Sequence, residues 1–583
     1  SIDHEIGEQV GYMKVRGNFT TDYEKKGFRI KFENKQNLFG LNGGKKFSKW
    51  VLFADVKDNS MLRNAMSFYL ADKITGENIF VSDFTPVHVY INNQYWGLYL
   101  LGEQKEQQSG RIQIPKIDKT SSDTAIGYTF ELDKYAPLEA AKGEDGDPTF
   151  TVNYSPKLTY KPHEGENRYE CNDFTNTYTM LTDIGDRTTQ LPYIKNRVDL
   201  AYKIIYNATK QNKFYEIQDE ALVASTATTA EECLAKTIDI DSFVDFYILN
   251  EIVCDPDIGY SSFYLTYDLS PSGSHKLRMD CPWDFDTTLG VRKGTLEDAQ
   301  GLYASKSSNV WLNMVSNTNW FKEKVKTKWN QLRENKIFEK AMNMIEDFSI
   351  NYVNDYKQNF QKWSKTLGSN PETNHETRDI VQRLKSERQA EQLLYHWFAD
   401  RIDYLETQFG NNRDSVLPGK GANTSGGSTG GSTSNEPVDF TEFKAAATKV
   451  RLEAESAIRE GANTVKENTA EGISGNKYVS GLNPNGGSVS FSYTAAKSGE
   501  AVLTVGLSAR QTRYKLTDLF DITVNGIAYS TETVVEGGSG TDFHMWTEVD
   551  AGKINLVAGN NTIVFTAKAN STNFDYIDLF VAK

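Results

Sequence analysis

Residues 410–439 read GNNRDSVLPGKGANTSGGSTGGSTSNEPVD. Gly, Ser, Thr and Asn dominate this stretch, and such a composition cannot bury enough apolar surface to offset the entropy of ordering it. The chain is therefore predicted to fold as two separate parts: residues 1–410, a Gly/Ser/Thr-rich linker over 411–439, and residues 440–583. Tethers of this composition are common in modular extracellular proteins, which points to a secreted or cell-surface location.

With 583 residues, 38% of them hydrophobic and 12% aromatic, the two parts can build real cores. The net charge of −14 argues against nucleic acid as a partner, because phosphate backbones need a basic surface. No run of 18 apolar residues is present, so no membrane span is predicted. The sequence starts at Ser1 without an apolar leader and reads as a mature or trimmed fragment. Cys171, Cys233, Cys254 and Cys281 lack CxxC spacing. They read as small buried hydrophobes rather than a zinc site, and their pairing is open among three connectivities.

The segment after the linker has an all-β texture. SVSFSYTA (488–495), AVLTVGLSA (501–509), DITVNGIA (521–528) and NTIVFTAKA (561–569) alternate apolar and polar residues between turn formers, which predicts a β-sandwich. The first part differs. Strand-like runs GYMKVRG, FRIKFE, VHVYINN, GLYLLGE and GYTFELD accompany one helical stretch, SMLRNAMSFYLADKI, within residues 1–135. Helical patterns take over after about residue 196, with long amphipathic runs over 318–410. This predicts an α+β domain with a small strand-rich lobe (about 1–135), an insertion (about 136–195) and a helical lobe (about 196–410).

The chemistry of the first part concentrates in two acidic segments, CDPDIGYSSFYLTYD (254–268) and MDCPWDFDTTLG (279–290). FYLTYD and HKLRMD read as paired strands across the LSPSGS turn, which brings Asp255 and Asp257 near Asp284 and Asp286. Four carboxylates in one small volume repel one another unless a cation is present, and hard oxygen ligands suit Mg²⁺, Mn²⁺ or Ca²⁺. A solvated turn and a glycosidase carboxylate pair remain alternatives. The spacing of Asp257, Ser262 and Asp284 matches the base, second metal ligand and first metal ligand of protein kinases, although HRD, DFG and GxGxxG are all missing. FRIKF places Arg29 and Lys31 opposite Phe28, Ile30 and Phe32, where a phosphate-binding cation or a solvated strand residue would project.

Five ordered blocks carry a resemblance. They are RGNFTTDYEKKGFRIKF, FGLNGGKKFSKWVLFADVKDNSMLRNAMSFYLADKI, VHVYINNQYWGLYLLGEQ, FVDFYILNEIVCDPDIGYSSFYLTYD and DCPWDFDTTLG. Together they resemble the spore-coat protein H (CotH) kinase family over roughly residues 10–135 and 235–410. The resemblance implies an atypical, two-lobed protein-kinase-like fold. It also implies transfer of the ATP γ-phosphate, with Mg²⁺ or Mn²⁺, to Ser/Thr of secreted or surface proteins. It would make Asp257 the base and Asp284 the metal ligand, with Asp286 supporting or sharing that role and Trp283 and Phe285 packing around them. Lys31 and Arg16 would meet the phosphates, and Glu103 would lie at an adenine-facing hinge or pair with a cation. The family usually carries Asn near Ser262; a hydroxyl is the poorer hard-cation ligand, so a catalytically degenerate kinase-like adhesin or structural protein is the main alternative, ahead of a glycoside-active enzyme.

RLEAES, SGNKYVSGL, DITVNG, MWTEVDAGKINLVAGNNTIVF and STNFDYIDLF resemble carbohydrate-binding modules of families 6 and 35. That resemblance implies a jelly roll in which Glu453, Glu455 and Asp575 ligate a structural Ca²⁺. Trp546, Tyr478 and Asn573 would bind sugar, because pyranose faces stack on rings and hydroxyls need oriented amides. The partners expected are a protein substrate and a plant or cell-wall polysaccharide.

Overall fold

The structure is a computed structural model. It describes residues 6–582 apart from 18, 116, 144–145, 159–174, 293–295, 297–298, 364–386, 411–439, 462, 468–472, 485, 510–512, 532, 537–545 and 569–571. The predicted linker and Cys171 therefore lie outside the described residues. The chain divides into two compact units, Ser1–Val416 and Leu417–Lys583.

The first unit opens with β1 (Gly11–Arg16), β2 (Gly27–Gln36), β3 (Phe47–Phe53), helix α1 (Arg63–Ile74), β4 (Phe84–Ile91) and β5 (Gln94–Glu103). The strands form an antiparallel sheet in the order β1-β2-β3-β5-β4. Alternation decides which face is buried. Phe28, Ile30 and Phe32 of β2 pack into a core with Tyr23, Trp50, Tyr99 and Leu101. Arg29 and Lys31 take the other face. Helix α1 begins where Asp58 accepts hydrogen bonds from the Ser60 and Arg63 amides at 3.0 and 2.8 Å, meeting donors that a helix start leaves unpaired.

A second antiparallel sheet follows, built from β6 (Gly127–Leu132), β7 (Thr149–Asn153), β8 (Thr175–Met180), β11 (Phe263–Asp268) and β12 (Leu277–Asp280), in the order β12-β11-β6-β8-β7; a separate hairpin comprises β9 (Tyr215–Gln218) and β10 (Ala221–Ala224). Two expectations change here. GYTFELD is not part of the first sheet, because β6 pairs with β11 from Gly127↔Asp268 to Leu132↔Phe263. Its hydrophobic alternation predicted a strand but could not name the partner. The supposed insertion also supplies β7 and β8 to this same sheet, so its described part belongs to the scaffold of the acidic hairpin. That hairpin is as expected, with Tyr264 opposite Asp280 and Tyr267 opposite Leu277. Helices α2 (Arg187–Tyr206) and α3 (Ile240–Val253) precede it, and helices at Val310–Ser316, Asn319–Glu334, Ile337–Asn351, Val353–Trp363 and Glu387–Phe409 follow it.

The second unit is a sandwich of two antiparallel sheets. One contains the strands Thr448–Glu453, Thr464–Glu467, Lys477–Leu482, Gly499–Ala509, Thr547–Leu556 and Thr572–Val581. The other contains Ile458–Glu460, Ser488–Ala495, Phe520–Val524, Ile527–Tyr529 and Gly559–Ala567. Inward residues of both sheets share one core, in which Phe491, Phe520, Phe565 and Phe574 touch edge-on or tilted. Asn525 and Gly526, at φ 53° and 76°, make the tight turn that the NG dipeptide demands.

Candidate functional site

Helix α3 ends on Cys254 in the left-handed region at φ 51°, its amide donating to the Asn250 carbonyl at 3.0 Å. That reversal leads directly into Asp255 and Asp257. Asp255 accepts the Asp257 amide at 2.9 Å, and the Asp257 carbonyl accepts the amides of Tyr260 and Ser261 at 2.7 and 3.0 Å. The turn returns the chain to β11 through Ser262. After β12 the chain passes Trp283 and reaches Asp284, which holds φ 67°. Asp257, Ser262, Asp284 and Asp286 line one cavity of about 520 Å³ together with Arg16 at the end of β1.

The cavity is electrostatically mixed. Burial pushes the Asp286 carboxyl up; Lys57 opposes the shift, while Asp284, Asp55 and Asp257 add to it. Burial also holds Asp255 well above the usual carboxylate range, reinforced by Asp257 and Asp284. Arg16 is pushed down by burial and pulled back by Asp284 and Asp286. Its guanidinium lies 5.3 Å from the Phe53 ring centre and 5.6 Å from that of Trp283. Trp283 and Phe285 are buried and pack against Phe68, with ring centres 6.0 and 5.6 Å away. The aromatic residues between the aspartates thus anchor the loop in the core.

Several sequence-based placements change. The four aspartates act on one another electrostatically, but Asp255 is buried, accepts the Asp257 amide and does not line the cleft. Among the described residues, three carboxylate ligand atoms lie within 4.8 Å of one another only at Glu453, Glu455 and Asp575. Lys31 does not line the cavity; it pairs across the sheet with Tyr12 and Lys49, its ammonium 5.6 Å from the Tyr12 ring centre. Arg29, on the same strand face, lines an adjoining cavity of about 590 Å³. Glu103 accepts hydrogen bonds from Asn42 at 2.7 Å, Arg111 at 3.2 Å and the Asp83 amide at 3.2 Å. Glu103 is thus paired with Arg111, and it lines a different cavity from Asp257 and Asp284.

Residues outside the sequence-based set fill the cleft. Lys105, just past β5, lines both adjoining cavities. Its ammonium is 3.6 Å from Glu131 and 3.9 Å from the Tyr264 ring centre. Glu131, on β6, also accepts the Ser262 amide at 2.9 Å, so it ties Lys105 to the acidic turn. Lys57 and Arg292 line the same cleft. Lys57 stands in FADVKDN, a block whose position was visible although its role was not.

In the second unit, Glu453, Glu455 and Asp575 converge where the first strand ends, beside the start of the last strand. Each carries one buried oxygen with no hydrogen-bond partner among the described residues. Ser474 Oγ donates to Glu453 at 2.5 Å and the Ser474 amide to Asp575 at 2.8 Å. Burial, and then the charges of Glu453 and Glu455, push Asp575 up to about 7. Three orphaned carboxylate oxygens facing one another fit a hard cation. Tyr478 is buried and meets Trp546 edge-on, with ring centres 5.1 Å apart. Any stacking platform here therefore rests on the half-buried Trp546, with the half-buried Asn573 on the last strand.

Residues 13–405 match the model of the CotH kinase protein family, and the chain belongs to that family. No curated protein matches it. Among solved structures, it is similar to a family 35 carbohydrate binding module from Clostridium thermocellum, at 30% identity over 23% of this chain and 100% of the module, with a TM-score of 0.20. A CBM35 from Cellvibrio japonicus is 19% identical over 23% of this chain and 95% of its own, with a TM-score of 0.19. A GH26-CBM35 β-(1,4)-mannanase of Podospora anserina is 25% identical over 23% of this chain, with a TM-score of 0.19; the match spans only 28% of the mannanase.

Proposed function

We propose that the first unit is a two-lobed, kinase-like catalyst that transfers the γ-phosphoryl group of ATP to Ser/Thr hydroxyls of secreted or surface proteins. The observation that carries this reading is the cleft of about 520 Å³ in which Asp257 and Asp284 meet Arg16 and Lys105. Asp257 accepts the proton of the acceptor hydroxyl, and Arg16 and Lys105 attract and orient the phosphates. Asp284 holds the divalent cation, with Asp286 and Ser262 beside it, and Trp283 and Phe285 fix the loop. The cation, when bound, neutralises charge on the transferring phosphoryl group. The Glu131 contact with the Ser262 amide keeps the acidic turn and Lys105 in one register. Arg29 extends the positive surface into the adjoining cavity, which offers room for the remainder of the nucleotide.

The second unit, on this reading, holds Ca²⁺ at Glu453, Glu455 and Asp575 and binds polysaccharide through Trp546, Tyr478 and Asn573. Its tether raises the effective concentration of the catalytic unit near its protein substrates. A non-catalytic adhesin is the second reading, favoured by Ser262 standing where the family usually has Asn.

Incubation with labelled ATP and Mn²⁺ tests the proposal. Wild-type protein incorporates label, and Asp257→Ala or Asp284→Ala reduces incorporation by about 10²–10⁴-fold, the usual worth of a positioned acid–base or charge-stabilising group. Absence of label in the wild type, with no nucleotide-induced rise in melting temperature, leaves the adhesin. Release of reducing sugar that depends on Asp257 or Asp284 would instead establish a glycoside-active enzyme.

A further inference from the structure

The loop that carries Asp284 and Asp286 is fastened from a distant part of the chain. The amide joining these two carboxylates, that of Phe285, donates to Oδ1 of Asn64 at 2.8 Å. The other end of the Asn64 amide donates to Oδ1 of Asp55 at 2.5 Å. Asn64 is in the first turn of α1, and both Asn64 and Asp55 are 2% exposed. Its neighbour Arg63 donates through Nε to the Thr288 carbonyl at 3.0 Å, with Asp58 paired to its other face. Two consecutive residues of one helix turn therefore grip the far side of the acidic loop.

This grip acts on a backbone that needs it. Asp284 occupies the left-handed region at φ 67°, where the Cβ of an L residue crowds the following carbonyl. The hydrogen bond on the very next amide opposes relaxation of that conformation, so it sets the direction in which the Asp284 carboxylate leaves the chain. Asp55 decides the orientation of Asn64 in turn, because only the Nδ2 end can donate to a carboxylate. We infer that Asn64, locked by Asp55, is the positioning residue that aims the Asp284 and Asp286 carboxylates into the cleft. The inference rests on the phosphoryl-transfer reading for its purpose, but the clamp itself is testable without metal or nucleotide.

Two measurements on the full chain decide it. The first is amide hydrogen exchange over residues 282–289 without added metal. The second is Mn²⁺ affinity by electron paramagnetic resonance, with the cleft site defined as the binding lost in Asp284→Ala. Asn64→Ala and Asp55→Ala are expected to speed exchange at least tenfold and to weaken cleft Mn²⁺ about tenfold, the lower end for removing a group that supports a metal ligand. Asp55→Asn, which keeps an acceptor and suits the φ of 48° at that position, restores most of both. If Asn64→Ala does not fold, the two Asp55 variants decide alone. Unchanged exchange overturns the clamp. Equal Mn²⁺ loss in Asp55→Asn and Asp55→Ala also overturns it, since Asp55 is then itself a ligand. A wild type without Asp284-dependent Mn²⁺ binding removes the metal reading instead, and the exchange result still supports or overturns the clamp.

Discussion

Ser262 Oγ donates to Asp284 Oδ2 across 3.2 Å, and both residues hold left-handed backbone, at φ 57° and 67°. The two ends of the acidic hairpin thus meet side chain to side chain at the floor of the cleft. Asn tolerates that backbone better than Ser and offers an amide oxygen, the better partner for a hard cation. Ser262→Asn is therefore expected to lower the Mn²⁺ concentration for half-maximal ATP-dependent labelling several-fold, with no loss of thermal stability. An unchanged or weaker metal dependence would show that Ser262 has no part in cation binding.

Lys105 and Lys31 separate two accounts of the phosphate site. Lys105 lines both cavities and is held near Glu131, whereas Lys31 faces Tyr12 and Lys49 along the sheet. Lys105→Met is expected to weaken nucleotide binding at least tenfold, a loss of about 1.4 kcal/mol or more. Lys31→Met leaves binding within twofold. Calorimetric titration of ATP in the presence of Mn²⁺ reads both, and the reverse ranking would return the phosphate role to Lys31.

The contrast between these lysines shows how far the residues alone could be read. Alternation in FRIKF gave the face of Arg29 and Lys31 correctly, because side chains on a strand have a fixed period of two. It could not say what lies over that face. The pairing of β11 with β12 was legible because a turn-rich loop joins two short apolar runs. The pairing of β6 with β11 was not, because it depends on contacts across more than a hundred residues. Asn64 and Phe285 are 221 positions apart, and no local pattern joins them. In the second unit the resemblance named all three carboxylates, since they sit in the first and last strand motifs. Their orphaned oxygens come to face one another only in the folded sandwich.

The aromatic wedge supplies a stability prediction. Phe68 on α1 is fully buried and touches Phe53, Phe84, Trp283 and Phe285, with ring centres 5.5–6.2 Å away. Phe68→Ala removes the common neighbour of both sides of the loop and should destabilise the first unit by about 3–5 kcal/mol. Denaturant unfolding followed by tryptophan fluorescence measures it. The change in the second unit should be negligible, and a loss under about 1 kcal/mol in the first would show that the wedge repacks around the gap.

Proton and metal compete at Glu453, Glu455 and Asp575, and the sign of the pH dependence follows from Asp575. Its folded value, about 7, lies above the ordinary carboxylate range. Between about pH 4 and 7 the folded state therefore holds more protons than the unfolded chain, and stability in chelator falls as pH rises. Added Ca²⁺ replaces the proton as the neutralising charge and is expected to flatten or reverse that fall. At pH 7, Ca²⁺ at a hundred times its Kd stabilises by about 2.7 kcal/mol, a rise in melting temperature on the order of 5–10 °C. Glu455→Gln removes one of the converging charges. It should raise the melting temperature of the second unit in chelator at pH 7 and shrink the Ca²⁺-dependent rise. Differential scanning calorimetry of both proteins, with and without Ca²⁺, makes the comparison, and equal Ca²⁺ increments in the two would exclude this triad as the cation site.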